Sequence, residues 1–91
     1  MLQNQKIKLS NASILLDQED SHVLDIVLEN ADDYDFEIEN PDQLEYNKAN
    51  RTIKTKGTLV RGEIYKIKII PKVQGVRQDV ETCLYLQIKG Q

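Results

Sequence analysis

Tryptophan is absent from the 91-residue chain, and cysteine, methionine, histidine and phenylalanine each occur once. A single cysteine excludes a disulfide framework within the chain, and no zinc-ligand spacing replaces it. No apolar run approaches the length of a membrane-spanning helix. The opening MLQNQKIKLS carries no apolar core of a signal peptide. Hydrophobic residues at 40% and charged residues at 30% make the chain too apolar for disorder. At this size a domain buries only about 60–65% of its unfolded surface, which leaves little volume for a deep active site. These limits exclude a membrane protein, a disulfide mini-protein and a large enzyme. The expectation is one domain over residues 1–91, part of a larger protein, in the cytoplasm.

The residues of catalysis are equally scarce. Nucleophilic catalysis needs a base beside a nucleophile, and the one histidine, His22, falls at a turn before an apolar alternation. No serine sits in a Gly-x-Ser-x-Gly elbow, and none of the four glycines belongs to a phosphate-cradling loop. Cys83 has only Lys89 nearby in sequence to lower its pKa and reads as an inert thiol. The acidic groups Asp17/Glu19/Asp20 and Asp32/Asp33/Asp35 suggest calcium, but neither has the glycine and glutamate of an EF-hand loop. They read as solvated turn acids. No cofactor and no enzymatic activity are expected.

Charge is present in quantity and unevenly spread. Residues 1–46 hold two basic residues, Lys6 and Lys8, against twelve acidic ones, whereas residues 47–91 hold ten basic and three acidic. Such polarity folds back into cross-strand ion pairs or leaves acidic and basic faces that steer partners.

The hydrophobic period is two. Val80, Thr82, Leu84, Leu86 and Ile88 alternate with Glu81, Cys83, Tyr85, Gln87 and Lys89, as in a half-buried strand. Tyr65, Ile67 and Ile69 alternate with Lys66 and Lys68, Leu24, Ile26 and Leu28 with Asp25 and Val27, and Tyr34, Phe36 and Ile38 with Asp35 and Glu37. Ile7 and Leu9, then Ile14 and Leu16, suggest a first strand broken near Asn11. Arg51–Lys56 is more polar, with Ile53 as its one strong anchor. About seven strands at short spacing predict an all-β, antiparallel, immunoglobulin-like sandwich. Turn residues punctuate them at 30–33, 47–50, Arg61-Gly62 and Gln74-Gly75. Asn40-Pro41-Asp42 also fits the start of a short helix over 41–49, but its apolar stripe is poor and a strand through Leu44–Tyr46 is preferred.

Gly57-x-Leu59-x-x-Gly62-Glu63, then Tyr65-x-Ile67-x-Ile69-x-Pro71-x-x-x-Gly75, then Leu84–Gly90, resemble the ASH and major-sperm-protein domains, relatives of the PapD-like sandwich. Val23–Asn30 and Phe36-Glu37-Ile38 resemble the strands before them. Arg61 stands where those domains usually have proline, and Asp35–Glu39 is acidic where their peptide-recruiting members are basic. The same C-terminal pattern resembles the tyrosine corner of fibronectin type III domains, and cadherin repeats are similar. In all of them Gly62 allows the turn, Tyr65, Ile67 and Ile69 fill the core, and Pro71 is expected to stop its strand.

The resemblance implies a non-enzymatic interaction or scaffolding module that takes a partner protein or peptide at a sheet edge or basic face. The expected face is Lys54, Lys56, Lys66 and Lys68, with Lys72 and Arg77 at its rim. An extracellular adhesion module is the alternative, and Asn11-Ala12-Ser13 and Asn50-Arg51-Thr52 match its glycan acceptor pattern. Self-association of acidic and basic faces, head to tail, is a third reading. Nucleic acid is disfavoured, because Tyr65 is expected to point inward, leaving Tyr85 as the outward aromatic, and the acidic half repels phosphate.

Overall fold

A computed structural model describes residues 5–39, 42–56 and 59–90. The suggested cap Asn40-Pro41 and the Gly57 of the family pattern lie outside the described residues. The strands are β1 (Lys6–Leu9), β2 (Ser13–Leu16), β3 (Ser21–Val23), β4 (Ile26–Glu29), β5 (Asp33–Ile38), β6 (Leu44–Asn47), β7 (Thr52–Thr55), β8 (Ile64–Val73), β9 (Val76–Arg77) and β10 (Thr82–Ile88). No helix occurs among the described residues. Residues 44–47 therefore take the strand rather than the helical alternative.

The strands form three hydrogen-bonded sheets. Their orders are β2-β10-β8-β5 with β9 attached to β8, β3-β7-β6, and the pair β1-β4. The architecture is all-β and sandwich-like. Side chains from all three sheets meet in one core, including Ile7, Ile26, Leu44, Ile53, Tyr65, Ile67, Ile69, Leu84, Leu86 and Ile88. Alternation along β8 and β10 places Tyr65, Ile67, Ile69, Leu84, Leu86 and Ile88 inward, as their period of two requires. Each such side chain contributes about 1.5–3 kcal/mol by leaving water.

Four details depart from the sequence reading. The pairing of β2 with β10 is parallel, joining Ser13 to Tyr85 and Leu16 to Ile88, whereas the other pairings are antiparallel. Ser10–Ala12 carries the chain from β1, beside β4, to β2, beside β10. Ser10 donates to the Asp25 carboxylate at this crossing. His22 lies within β3, opposite Ile53, not in a turn before the strand. Val80 is 47% exposed and precedes β10, in the connection from β9 rather than in the strand.

Pro71 does not end β8, which continues to Val73. Its carbonyl accepts from Gln78 N at 2.9 Å. Nitrogen and carbonyl of one strand residue point the same way, so the missing N–H lies on the Gln78 side, between the Ile69–Thr82 and Lys72–Arg77 pairs, and only the return bond to Gln78 is absent. Three residues after Pro71, Gln74 has positive φ, as does Gly75, 51° and 81°. That combination makes the two-residue turn whose twist suits a tight hairpin, and it joins Val73 to Val76.

Candidate functional site

The six cations selected from sequence do not share one sheet. Lys54 extends from β7, where Glu45 of β6 and Ser21 of β3 lie opposite it. Lys56 follows β7, its backbone N–H donating to Gln43 O at 2.9 Å. Lys66, Lys68 and Lys72 lie on β8 and Arg77 on β9, in the five-stranded sheet. The structure thus brings together four of the six.

Those four face the acidic strand β5. Register sets Asp33 opposite Lys72 and Glu37 opposite Lys68. Lys72 Nζ lies 3.4 Å from Asp35, and Arg77 bridges Asp35 at 3.2 Å and also Glu37. Lys68 reaches Glu81 of the connection before β10 at 3.9 Å. Lys48 pairs with Asp33 at 2.7 Å, and this contact holds the Asp33 carboxyl below its ordinary range, helped by a backbone donor. The acidic half of the sequence supplies β5 and the basic half supplies β8, so their alternate outward side chains interleave as opposite charges. Exposed pairs of this kind contribute little stability each, about 0–1 kcal/mol.

β5 is also an edge. It pairs with β8 on one side, and among the described residues no strand pairs its other side. At its C-terminal end a groove of about 330 Å³ is lined by Glu37, Ile38, Glu39, Lys66 and Lys68. Among the described residues Lys66 and Glu39 enter no ion pair. The groove offers an anion and a cation beside a row of edge backbone groups.

Behind this edge stands a wall that the sequence reading did not assemble. Phe36 stacks on Tyr46 at 3.7 Å between centroids, and the Tyr34 and Tyr46 hydroxyls meet at 2.5 Å. Lys48 Nζ lies 4.8 Å from the centre of the Tyr34 ring. Burial, followed by the Tyr34 hydrogen bond, pushes the Tyr46 phenol well above its ordinary value. The wall closes the core between β5 and β6, edges of two different sheets. Its signal in the sequence was Tyr34 and Phe36 two residues apart, on the inward side of one strand.

The residues of other chemistries have structural employment. Asp20 accepts from the backbone N–H groups of Asp17 and Ser21, which lowers its pKa in that order of importance. Asp32 accepts from Gln74 N at 3.1 Å. Among the described residues no three His, Cys, Asp or Glu side chains are grouped to hold a metal. Ser10, His22 and Asp25 line one depression of about 240 Å³. There Asp25 holds the serine hydroxyl directly, so no imidazole stands between carboxylate and nucleophile as a triad needs. Cys83 is a half-buried free thiol opposite Lys68. Asn11 and Asn50 are both exposed, and no helix among the described residues is long and apolar enough to cross a membrane.

No protein-family model, curated protein or solved structure matches this chain.

Proposed function

We propose that the chain is a non-enzymatic protein–protein interaction module that receives an extended segment of a partner along β5. The observation that carries the reading is the juxtaposition, among the described residues, of a sheet edge that no strand pairs with the mixed-charge groove of Glu37, Glu39, Lys66 and Lys68 at its C-terminal end, away from the Tyr34 carbonyl that Lys48 occupies. Backbone pairing supplies affinity and the charges fix the orientation of the added strand. In this reading the fold is immunoglobulin-like, of the PapD kind: β3 and β4 are taken as one strand interrupted at Leu24-Asp25, which joins β1-β4 and β3-β7-β6 into a layer against β2-β10-β8-β5. The module belongs in this reading to a larger cytoplasmic scaffold. Exposure of both glycan acceptor asparagines, Asn11 and Asn50, favours the second reading of an extracellular adhesion module.

Pull-down from cytosolic extract tests the first reading, using the intact domain, Lys66→Glu/Lys68→Glu and Lys54→Glu/Lys56→Glu. Circular dichroism verifies that all three fold. The expected result is a partner retained by the intact domain and the Lys54/Lys56 variant and lost by the Lys66/Lys68 variant. Equal retention by all three refutes the β5 groove. Glycan on Asn11 or Asn50 after secretion from cultured cells favours the adhesion module.

A further inference from the structure

We infer that Lys48 fixes where a partner strand ends on β5, confining it to Phe36 and Ile38 and so selecting a segment with two apolar residues separated by one other. The inference rests on the reading of β5 as the receiving edge. Pro71 O points to Gln78, away from β5. Backbone groups alternate in direction along a strand, so those of Lys68, Ile70 and Lys72 point toward β5. Lys72 O accepts from Asp32 N on that side at 3.1 Å. Asp33, Asp35 and Glu37 lie opposite these three and direct their own backbone groups to β8. Tyr34, Phe36 and Ile38 therefore turn theirs to the open side.

Of these three, Tyr34 is closed. Lys48 Nζ donates to its carbonyl at 2.8 Å and reaches the Asp33 carboxylate at 2.7 Å. That carboxylate in turn accepts from the Tyr34 N–H. One side chain, from the turn between β6 and β7, thus holds both backbone groups that a longer partner strand needs. Phe36 and Ile38 are half-buried at the margin of the core, with Phe36 stacked on Tyr46. Side chains in one row of adjacent strands share a face. The two partner residues beside Phe36 and Ile38 therefore point inward and cover that apolar margin. The residue between them points outward beside the exposed Glu37, where an acid is destabilising. The occupant is an extended segment of another protein with the pattern apolar, non-acidic, apolar.

A phage-displayed library of random short peptides, selected on the wild-type domain and on Lys48→Ala, tests the inference. Amide hydrogen exchange followed by NMR locates the peptides that bind. The Lys48 side chain is half exposed and its ion pair weak, so the variant retains the fold, which circular dichroism verifies. The wild-type domain is expected to enrich the apolar, non-acidic, apolar pattern, and a bound peptide to slow exchange at Phe36 and Ile38 with no further slowing at Tyr34. On Lys48→Ala the enriched peptides are expected to carry a third apolar residue at the same spacing, and the slowing to extend to Tyr34. Peptides that bind along β5 without that spacing, or that slow Tyr34 in the wild-type domain, overturn the inference and leave β5 as the receiving edge. A Lys48→Ala selection identical to the wild-type one does the same. Slowing at Phe36 and Ile38 that grows with protein concentration alone assigns the edge to a second copy and overturns it too. Slowing confined to other strands, or no enriched peptide, overturns the β5 reading itself and the inference with it.

Discussion

Replacing Thr55 by valine separates hydrogen bonding from burial at one position. The side chain is only 4% exposed, and its hydroxyl serves the β2–β3 turn in both senses. It donates to Asp17 O at 2.8 Å and accepts from Asp20 N at 2.8 Å. The backbone agrees, with Thr55 N donating to Asp20 O at 2.9 Å. Valine keeps the shape but leaves the Asp20 N–H and the Asp17 carbonyl without this partner. Each such loss costs about 1–3 kcal/mol when buried, and water at this partly exposed turn brings the pair to about 1.5–3 kcal/mol. Thr55→Ser keeps both bonds and gives up one methyl, about 0.8 kcal/mol. Urea unfolding followed by circular dichroism measures both, with an unchanged slope marking a true stability effect. In thermal melts valine is expected to lower Tm by about 6–24 °C and serine by about 3–6 °C. A valine variant as stable as wild type, or more stable than the serine variant, refutes the hydroxyl's role and leaves Thr55 as a packing residue.

Two further outcomes follow from the same geometry. Tyr46→Phe removes the bond to Tyr34 and is expected to cost about 0.5–1.5 kcal/mol at neutral pH. Because folding raises the Tyr46 pKa, from burial first, its stabilising contribution is complete below the unfolded value near 10 and is lost as pH rises above it. The gap between wild type and Tyr46→Phe should therefore shrink between about pH 9 and 12, and a constant gap in urea midpoints across that range contradicts the burial argument. At Gly75, φ is +81° and an added Cβ meets nothing within 4 Å, so Gly75→Ala measures backbone strain alone. The expected loss is about 1–2 kcal/mol, with Gly75→Asn milder, and equal melting of alanine and asparagine variants contradicts it.

What was legible in the sequence was the inward side of the longer strands. Alternation is a property of neighbours along the chain, and it placed Tyr65, Ile67, Ile69, Leu84, Leu86 and Ile88 in the core. Where burial depends on a partner from elsewhere, alternation was mute or misleading. Val80 continues the period of β10 yet lies in a connection, and Thr55 is buried because the distant Asp17 and Asp20 need its hydroxyl. Pro71 reads as a stop, but the strand loses only one return bond, to Gln78 at the junction of β9 and β10, and carries on. The parallel β2–β10 pair was invisible for the same reason. A kink at Asn11 can be read, whereas the sheet to which the chain crosses cannot.

The basic face shows this limit most clearly. Lys54 and Lys56 shared with Lys66 and Lys68 a sign and an alternation, but strands joined by a long connection need not share a sheet, and here they do not. The uneven halves of the sequence have a different consequence. A strand whose outward residues are all acidic cannot neutralise itself, so its charges are relieved by a lateral neighbour of the opposite sign. β5 from the acidic half lies beside β8 from the basic half, with Lys72 and Arg77 on Asp35 and Glu37. Blocks of opposite charge in a β-rich sequence thus carry information about which strands are adjacent. The charge left after that pairing, on this face and among the described residues, is Lys66 and Glu39, at the end of β5 where the interleaving stops and where the proposed partner strand is placed.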